Sequence, residues 1–170
     1  MQLVGSAFEG LAVQSLDTLK LVSPAFKDNG FIPMLYTAEG KDVSPPLVWG
    51  NIPSGTRTLA LICEDPDVPA GPWVHWVLYN IPTTLDHIEE GGKNLKPDVR
   101  LGKNSGGSLA YGGPNLPSGT HHYRFTLYAL DTTLDLKEGP TKEQLTQAMQ
   151  DHILAEAPLI GLYQRQDVKQ

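Results

Sequence analysis

The sequence predicts a mainly β protein, an antiparallel β-sandwich with one helix near the C-terminus. The 17 Gly and 14 Pro residues are spread along the chain, which favours many turns between short strands. Apolar runs of strand length recur, and the βαβα alternation that an α/β fold needs is missing. Since the 170 residues contain no internal repeat and no dividing linker, residues 1–170 are expected to form a single domain.

Three segments are predicted as strands from their apolar patterns. Thr58–Glu64 is apolar on both faces, which is typical of a central strand that is covered on both sides. Val74–Ile81 follows and ends at a proline, and Tyr123–Leu130 is the third. Weaker strands are expected near Leu19–Val22 and Leu47–Trp49.

One helix is predicted, from about Lys142 to Ala155. Thr141 and Gln144 fit a capping box, in which each side chain accepts a hydrogen bond from the other residue's backbone N–H. An apolar stripe recurs at helical spacing and should pack on a sheet. The stripe consists of Leu145, Ala148, Met149, His152 and Ile153.

The segment Asp86–Gly112 has few apolar residues and many Gly, Lys and Asn. It is predicted to be a long connection, and connections of this length are usually functional or mobile.

Charge and composition exclude several classes of partner. The formal net charge is −6 and Lys and Arg form no run, so nucleic acid and anionic membranes would be repelled. A local positive group can still bind a small anion, because salt screens charges beyond roughly 8 Å. The single Cys63 allows no internal disulfide, and Met1–Leu19 lacks the charged start of a signal peptide, so a cytoplasmic location is expected.

Two polar segments follow or precede the predicted strands. In the first, Asp65 and Asp67 alternate with prolines in a stiff turn, and they either bind a ligand or cap local N–H groups. His75, ten residues after Asp65, would share a regular strand face with Val77 and Tyr79. It is either a core histidine or the wall of a pocket, where a nearby Asp would raise its pKa and keep it cationic.

The second polar segment runs from Gly112 to Tyr123. Its glycines allow close backbone approach, and exposed N–H groups can form an anion nest, although a simple turn has the same composition. His121 and Tyr123 have the same parity and should share a face, with His122 pointing the other way. Imidazolium, hydroxyl and N–H donors, with Asp holding the imidazole, would suit a phosphate-like group.

Three stretches carry a family resemblance. They are DVSPPLVW (Asp42–Trp49), DPDVPAGPWVHWVLYNIP (Asp65–Pro82) and YGGPNLPSGTHHYRFTLYAL (Tyr111–Leu130). With these motifs in this order, the chain resembles the phosphatidylethanolamine-binding protein family, and more closely its bacterial and archaeal branch, often labelled Raf-kinase-inhibitor-like.

The resemblance implies two antiparallel sheets with Greek-key-like connections and a short C-terminal helical part. No cofactor or metal is expected, because a metal site needs three or four converging ligands and the sequence has no HExxH-type spacing. The resemblance also implies a cis peptide bond at Val68–Pro69 or Gly71–Pro72. The pocket-lining residues would be Asp65, Asp67, Trp73, His75, Gly113, Pro114, His121 and Tyr123.

The chain departs from the family pattern in three places. Pro72 stands where many eukaryotic members have Glu, and His122 replaces the usual Arg. The C-terminal helix that partly covers the eukaryotic pocket looks reduced here, so a more open pocket is expected.

The predicted function is non-catalytic binding of a small anion or phosphorylated ligand. Cys63 lies in an apolar strand, and Ser105 and Ser108 lack the Gly-x-Ser-x-Gly pattern of a nucleophile elbow. The main alternative, by family analogy, is an interaction module that inhibits a kinase or a protease, and a homodimer is also compatible with the resemblance. A hydrolase that uses Asp65, Asp67, His75 and His121 is the third possibility.

Overall fold

The computed structural model describes residues 18–113 and 119–164. Nine strands and one α-helix lie within these ranges, with two short 3-10 helices, Met34–Tyr36 and Glu90–Gly92. The strands are β1 (Lys20–Val22), β2 (Gly30–Phe31), β3 (Leu47–Gly50), β4 (Thr58–Asp65), β5 (Trp73–Pro82), β6 (His87–Ile88), β7 (Arg100–Leu101), β8 (Thr120–Leu130) and β9 (Ile153–Gln164), and the helix is α1 (Lys142–Met149).

The strands form two sheets, as predicted. The larger sheet has the order β2-β9-β8-β4-β5-β7, and the smaller one has the order β1-β3-β6. Described strand pairs are antiparallel except β2 with β9, which run parallel at Gly30–Gly161 and Phe31–Leu162. The mainly β architecture with one short helix is therefore confirmed.

Strand β4 lies at the centre of the larger sheet, and both of its faces are buried. Leu59, Leu61 and Cys63 join the main core, which also contains residues of the smaller sheet. Ala60 and Ile62 join a second cluster with α1 on the opposite face. The two apolar faces of this segment thus reflect a sheet that is covered on both sides.

The helix begins as predicted but ends earlier. The N–H of Gln144 donates to Thr141 Oγ1 at 3.1 Å, and the N–H of Thr141 donates to Gln144 Oε1 at 3.0 Å. The predicted end at Ala155 is wrong. Gln150 leaves the helical conformation, and Asp151 has the left-handed φ of 71°.

The residues after this turn form β9, which the sequence reading missed. Strand β9 pairs with β8 along most of its length, from Ile153 to Gln164. Ala157, Leu159 and Tyr163 alternate on its buried face. His152, assigned to the helical stripe, instead places Nδ1 2.8 Å from Asp131 Oδ1.

Two further predictions are corrected. The segment Asp86–Gly112 contains β6, a 3-10 turn and β7, so it is only partly irregular. No described peptide bond is cis. The turn expected to hold one reverses instead through Gly71, whose φ is 116° and whose N–H donates to the Val68 carbonyl at 2.9 Å.

Among the described residues, no helix has both the length and the apolar character that crossing a membrane requires.

Candidate functional site

Asp65, the last residue of β4, lies at the centre of the candidate site. Its side chain is completely buried, and Oδ1 accepts a hydrogen bond from the Asp67 N–H at 2.8 Å. Oδ2 lies 3.0 Å from Nδ1 of His121 on the neighbouring strand β8. Desolvation by burial raises the pKa of Asp65, and the Asp67 N–H and His121 act in the opposite direction.

Asp67 occupies the turn after β4 and connects it to β8. Its Oδ2 accepts hydrogen bonds from the backbone N–H of His122 and faces His122 Nδ1, both at 2.9 Å. These hydrogen bonds lower the pKa of Asp67, and the backbone bond has the largest effect. The two Asp side chains therefore cap N–H groups, as the simple-turn alternative predicted, and they also contact two histidines.

A β-bulge places His75 on the same face as this pair. Cys63 pairs with Trp76 and Glu64 pairs with Val74, so His75 is the extra residue of β5 between two successive pairs. The predicted face for His75, shared with Val77 and Tyr79, is wrong for this reason. Its ring packs instead on the ring of Tyr123, with centroids 4.4 Å apart.

The structure makes His75 neutral rather than cationic. Its side chain is buried, and Nδ1 contacts the Gly112 carbonyl oxygen at 2.6 Å. Desolvation lowers the pKa of His75 to about 4, although the Gly112 carbonyl favours the protonated form. The expectation of a cationic His75 is therefore wrong, because the nearby carboxylate contacts His121 instead.

Strand β8 supplies His121 and Tyr123 to the site. The two residues share a face as predicted: His121 meets buried Asp65, and Tyr123 is fully buried in the main core. His122 points the other way, and its side chain is half exposed. Tyr163 packs edge-to-face on Tyr123 at 6.0 Å and donates its hydroxyl hydrogen to Glu39 Oε1 at 3.0 Å.

The segment from Gly112 to Tyr123 forms hydrogen bonds with other parts of the protein at Gly112 and Gly113. The Gly113 N–H donates to Asp42 Oδ1 at 2.7 Å, so this N–H already has a protein acceptor. A Cβ at Gly113 would overlap the Tyr36 carbonyl oxygen, which explains the need for glycine. Pro114, also predicted to line the pocket, lies outside the described residues.

Trp73 lies at the rim of the site. It pairs with Asp65 at the adjoining ends of β5 and β4, and 43% of its surface is exposed. The structure thus brings Asp65, Asp67 and His121 together, and it places His75 and Tyr123 beside them on one face. Their role in binding a ligand remains a prediction.

The same cluster has the spacing of a possible metal site. One ligand atom each from Asp65, Asp67 and His121 lies within 4.8 Å of the other two. The carboxylates already contact the Asp67 N–H, His121 and His122, so an ion is not needed to explain their positions. The prediction that the site holds no metal stays a prediction.

Comparison with known proteins identifies the family. The model of the family described as phosphatidylethanolamine-binding protein matches residues 22–164. The chain belongs to the phosphatidylethanolamine-binding protein family. The resemblance carried by the three sequence motifs is thereby confirmed.

Relatives in this family occur in archaea and bacteria. A protein of Methanothermobacter thermautotrophicus, named UPF0098 protein, is 49% identical over 150 residues, which cover 86% of this chain and 99% of the relative. A UPF0098 protein of Chlamydia pneumoniae is 41% identical over 86% of this chain and 99% of its own length. These matches support the bacterial and archaeal branch.

Two solved structures of the family have the same fold. The crystal structure of CT736, a phosphatidylethanolamine-binding protein homologue from Chlamydia trachomatis, matches with a TM-score of 0.82 and 39% identity, over 88% of this chain and 99% of that one. Escherichia coli YbcL, described as a member of the mammalian PEBP family, matches with a TM-score of 0.81 and 26% identity, over 87% and 99% of the two chains. Membership of this family supports a binding function in general terms.

In this member of the phosphatidylethanolamine-binding protein family, sequence reasoning missed three groups that shape the site. They are the Gly112 carbonyl, which orients His75, the Asp42 carboxylate, which fixes Gly113, and the Tyr163 ring, which supports Tyr123. Asp42 begins the DVSPPLVW motif, so the sequence singles out this residue. The motif does not reveal that its carboxylate accepts a hydrogen bond from Gly113. Tyr163 belongs to an alternation of buried residues that is typical of a strand, and it includes Ala157 and Leu159.

Proposed function

We propose that this protein is a non-catalytic binding protein for a small anion or a phosphate-type headgroup. The observation that carries the proposal is the pairing of His121 with the fully buried carboxylate of Asp65. Such a carboxylate orients the imidazole, and an imidazolium in this position can donate a charge-assisted hydrogen bond to an anion.

The surroundings of the two rings favour His121 over His75 for the anion-binding role. His75 is neutral because its pKa is lowered to about 4. His121 is 15% exposed, so a small ligand can reach its ring while Asp65 stays buried behind it. The ring of Tyr123 packs on the ring of His75 on the same face, with centroids 4.4 Å apart.

Neither Cys63 nor Ser105, two candidate nucleophiles among the described residues, is activated, which supports binding rather than turnover. Burial raises the pKa of the Cys63 thiol well above its usual value, so it stays protonated and unreactive. Ser105 Oγ accepts a hydrogen bond from the Val74 N–H at 2.7 Å and has a structural role in the loop.

Calorimetric titration with inorganic phosphate at about pH 6 tests the proposal directly. We expect saturable binding by the wild-type protein and at least tenfold weaker binding by His121→Ala, since a hydrogen bond to a charged group contributes about 1.5–3 kcal/mol. His152→Ala is the matched control, because His152 forms an exposed pair with Asp131 elsewhere in the chain.

Unchanged phosphate binding by His121→Ala would contradict the assignment of the anion-binding role to His121.

The second candidate is an interaction module that inhibits a kinase or a protease, and the exposed Trp73 beside Asp65 favours it. Tryptophan is enriched among the residues that dominate protein interfaces. Trp73→Ala should then abolish inhibition of a sensitive kinase or protease, whereas His152→Ala, elsewhere in the chain, should leave the inhibition unchanged. Inhibition that survives the substitution would remove this candidate, and the homodimer stays a prediction that light scattering can test.

A further inference from the structure

A separate cavity lies where the end of β9 meets β2 and the 3-10 turn Met34–Tyr36. Its volume is about 200 Å³, and none of the described residues that line it belongs to the candidate site. Pockets for drug-sized molecules have volumes of about 300–1,000 Å³, so this cavity suits a smaller ligand.

The inner part of the cavity is formed by the buried residues Ile32, Thr37 and Tyr163. The Ile32 N–H donates to the Leu162 carbonyl oxygen at 2.8 Å, which joins this wall to β9. The Thr37 hydroxyl donates to the Met34 carbonyl oxygen at 2.8 Å, which closes the turn on the other side. Since the walls are held by these bonds, a ligand enters a shape that is already formed, which lowers the cost of binding.

Two large apolar side chains form the outer part of the cavity. Phe31 is 56% exposed, and Met34 is 49% exposed. Single exposed apolar side chains are common, but two that line one cavity form a patch that a ligand can cover. Covering this patch with an apolar group removes apolar surface from water and favours binding.

Glu39 carries the only charge in the lining among the described residues. Its N–H donates to Thr37 Oγ1 at 3.2 Å, and its Oε1 accepts the Tyr163 hydroxyl hydrogen at 3.0 Å, so both its backbone and its side chain are positioned. A carboxylate has several acceptor sites, so it can bind a cationic N–H group in addition to the Tyr163 hydroxyl. The formal net charge of −6 also attracts cations to the protein.

We propose that this cavity binds a small organic ammonium ion that carries one apolar group. The ammonium N–H groups donate to the Glu39 carboxylate, and the apolar group covers Phe31 and Met34. The Phe31 ring adds attraction for the cation, because the face of an aromatic ring is electronegative. This site does not depend on the proposed anion-binding function, since the two share no residue.

Benzylamine and benzyl alcohol are the first pair of probes. Both have the same ring, but only benzylamine is a cation at about pH 7, because alkylammonium groups lose a proton well above neutrality, as lysine does at about 10.4. In NMR titrations of the isotope-labelled full chain, benzylamine should shift the amide signals of Ile32, Thr37 and Glu39 in a saturable way. Benzyl alcohol should bind at least tenfold more weakly, because it cannot form the charge-assisted hydrogen bond.

The substitution Glu39→Gln tests the role of the carboxylate. Glutamine keeps an oxygen that can accept the Tyr163 hydroxyl hydrogen, but it has no charge. Benzylamine affinity should therefore fall at least tenfold, to about the value for benzyl alcohol. Glu89→Gln is the matched control, because it removes the same charge from an exposed position beside His87 and should bind benzylamine as the wild type does.

The substitution Phe31→Ala tests the apolar part of the cavity. Methylamine has the same charge as benzylamine but no ring, so the wild type should bind it at least tenfold more weakly. Phe31→Ala should reduce most of this difference by weakening the binding of benzylamine. Leu154→Ala, at an exposed apolar position elsewhere on β9, should leave the affinity for both amines unchanged.

Each outcome supports or overturns the proposal. Equal wild-type affinity for benzylamine and benzyl alcohol, or an unchanged benzylamine affinity of Glu39→Gln, would overturn recognition of the charge by Glu39. Shifts at His121 and Trp73 instead of Ile32 would move the amine to the candidate site and overturn the cavity assignment. Failure of benzylamine to bind would overturn the proposal and leave anion binding standing. The wild-type titrations decide these points even if neither cavity variant folds.

Discussion

The His75 imidazole donates a hydrogen bond from Nδ1 to the carbonyl oxygen of Gly112, at 2.6 Å. The Gly112 N–H in turn donates to the His75 carbonyl oxygen at 3.0 Å. These two bonds join the bulge in β5 to the segment that leads toward β8. They fix the ring orientation of His75 and its neutral tautomer at once.

The first prediction concerns the pH dependence of stability. The folded-state pKa of His75, about 4, lies below the ordinary histidine value of about 6.5. The contribution of neutral His75 to the free energy of unfolding is thus fully present above about pH 6.5. It is lost as the pH falls toward 4, because the unfolded chain there binds a proton that the folded chain excludes. Urea unfolding should show a loss of about 3 kcal/mol from this group across that window.

The comparison with His75→Asn isolates this contribution, because asparagine does not titrate. The variant is expected to be less stable at neutral pH but to lose less stability than the wild type between about pH 6.5 and 4. Other groups, including Asp65 with its raised pKa, titrate in both proteins and largely cancel in the difference. Parallel pH profiles would show that His75 is protonated normally in the folded state.

The second prediction concerns the packing of Gly113. A Cβ at this position would overlap the Tyr36 carbonyl oxygen and lie 2.5 Å from Asp42 Oδ1. Gly113→Ala should therefore lower the free energy of unfolding by about 1–3 kcal/mol, the usual cost of overpacking. The matched control is Gly50→Ala, because no atom lies within 4 Å of a Cβ there.

Thermal or urea unfolding measures both glycine variants. The control should be unchanged or slightly stabilised, since alanine restricts the unfolded chain more than glycine does. If Gly113→Ala were as stable as the control, the close approach of the Tyr36–Asp42 segment to Gly113 would be contradicted.

The third prediction concerns the exposed pair of Asp67 and His122. The lowered pKa of Asp67 has the His122 backbone N–H as its largest cause and the His122 side chain as the next. His122→Ala removes only the side chain, so the pKa of Asp67 should rise part of the way toward its ordinary value. Carbon-detected NMR titration of the carboxyl group measures this change.

Stability should change little in this variant. Both side chains are about half exposed, and exposed ion pairs contribute only about 0–1 kcal/mol. His152→Ala should leave the Asp67 titration unaltered. An Asp67 pKa that does not move in His122→Ala would mean that the two side chains do not interact in solution.

The fourth prediction tests the helix cap. The Thr141 side chain accepts a hydrogen bond from the Gln144 N–H, so Thr141→Ala should destabilise the protein by about 1 kcal/mol. Thr146→Ala, at an exposed position within the same helix, should be neutral or stabilising because alanine has the higher helix propensity. Equal effects of the two substitutions in urea unfolding would rule out a stabilising cap.

The strands that form the centre of the fold are predictable from local pattern. Thr58–Glu64 is apolar on both faces because its sheet is covered on both sides, and that information is contained in the segment itself. The capping box at Thr141 is local in the same way, since it spans only four residues.

The region after Met149 shows where local pattern fails. His152 and Ile153 continue a helical spacing, yet the chain turns at Asp151 and enters β9. The long ladder between β8 and β9 decides this outcome, and it joins residues that are far apart in the sequence. Local propensity is a weak prior against so many tertiary hydrogen bonds.

The sequence by itself determined the family, the residue types of the candidate site and the pairing of His121 with Tyr123 on one face. The tertiary structure alone decided which histidine meets Asp65 and which one is neutral. The bulge arises from the register between β4 and β5, and it places His75 on the opposite face from the one that a regular strand would give. Its pKa depends on burial by residues distant in the chain, because desolvation is a property of the packed environment rather than of the sequence around a residue.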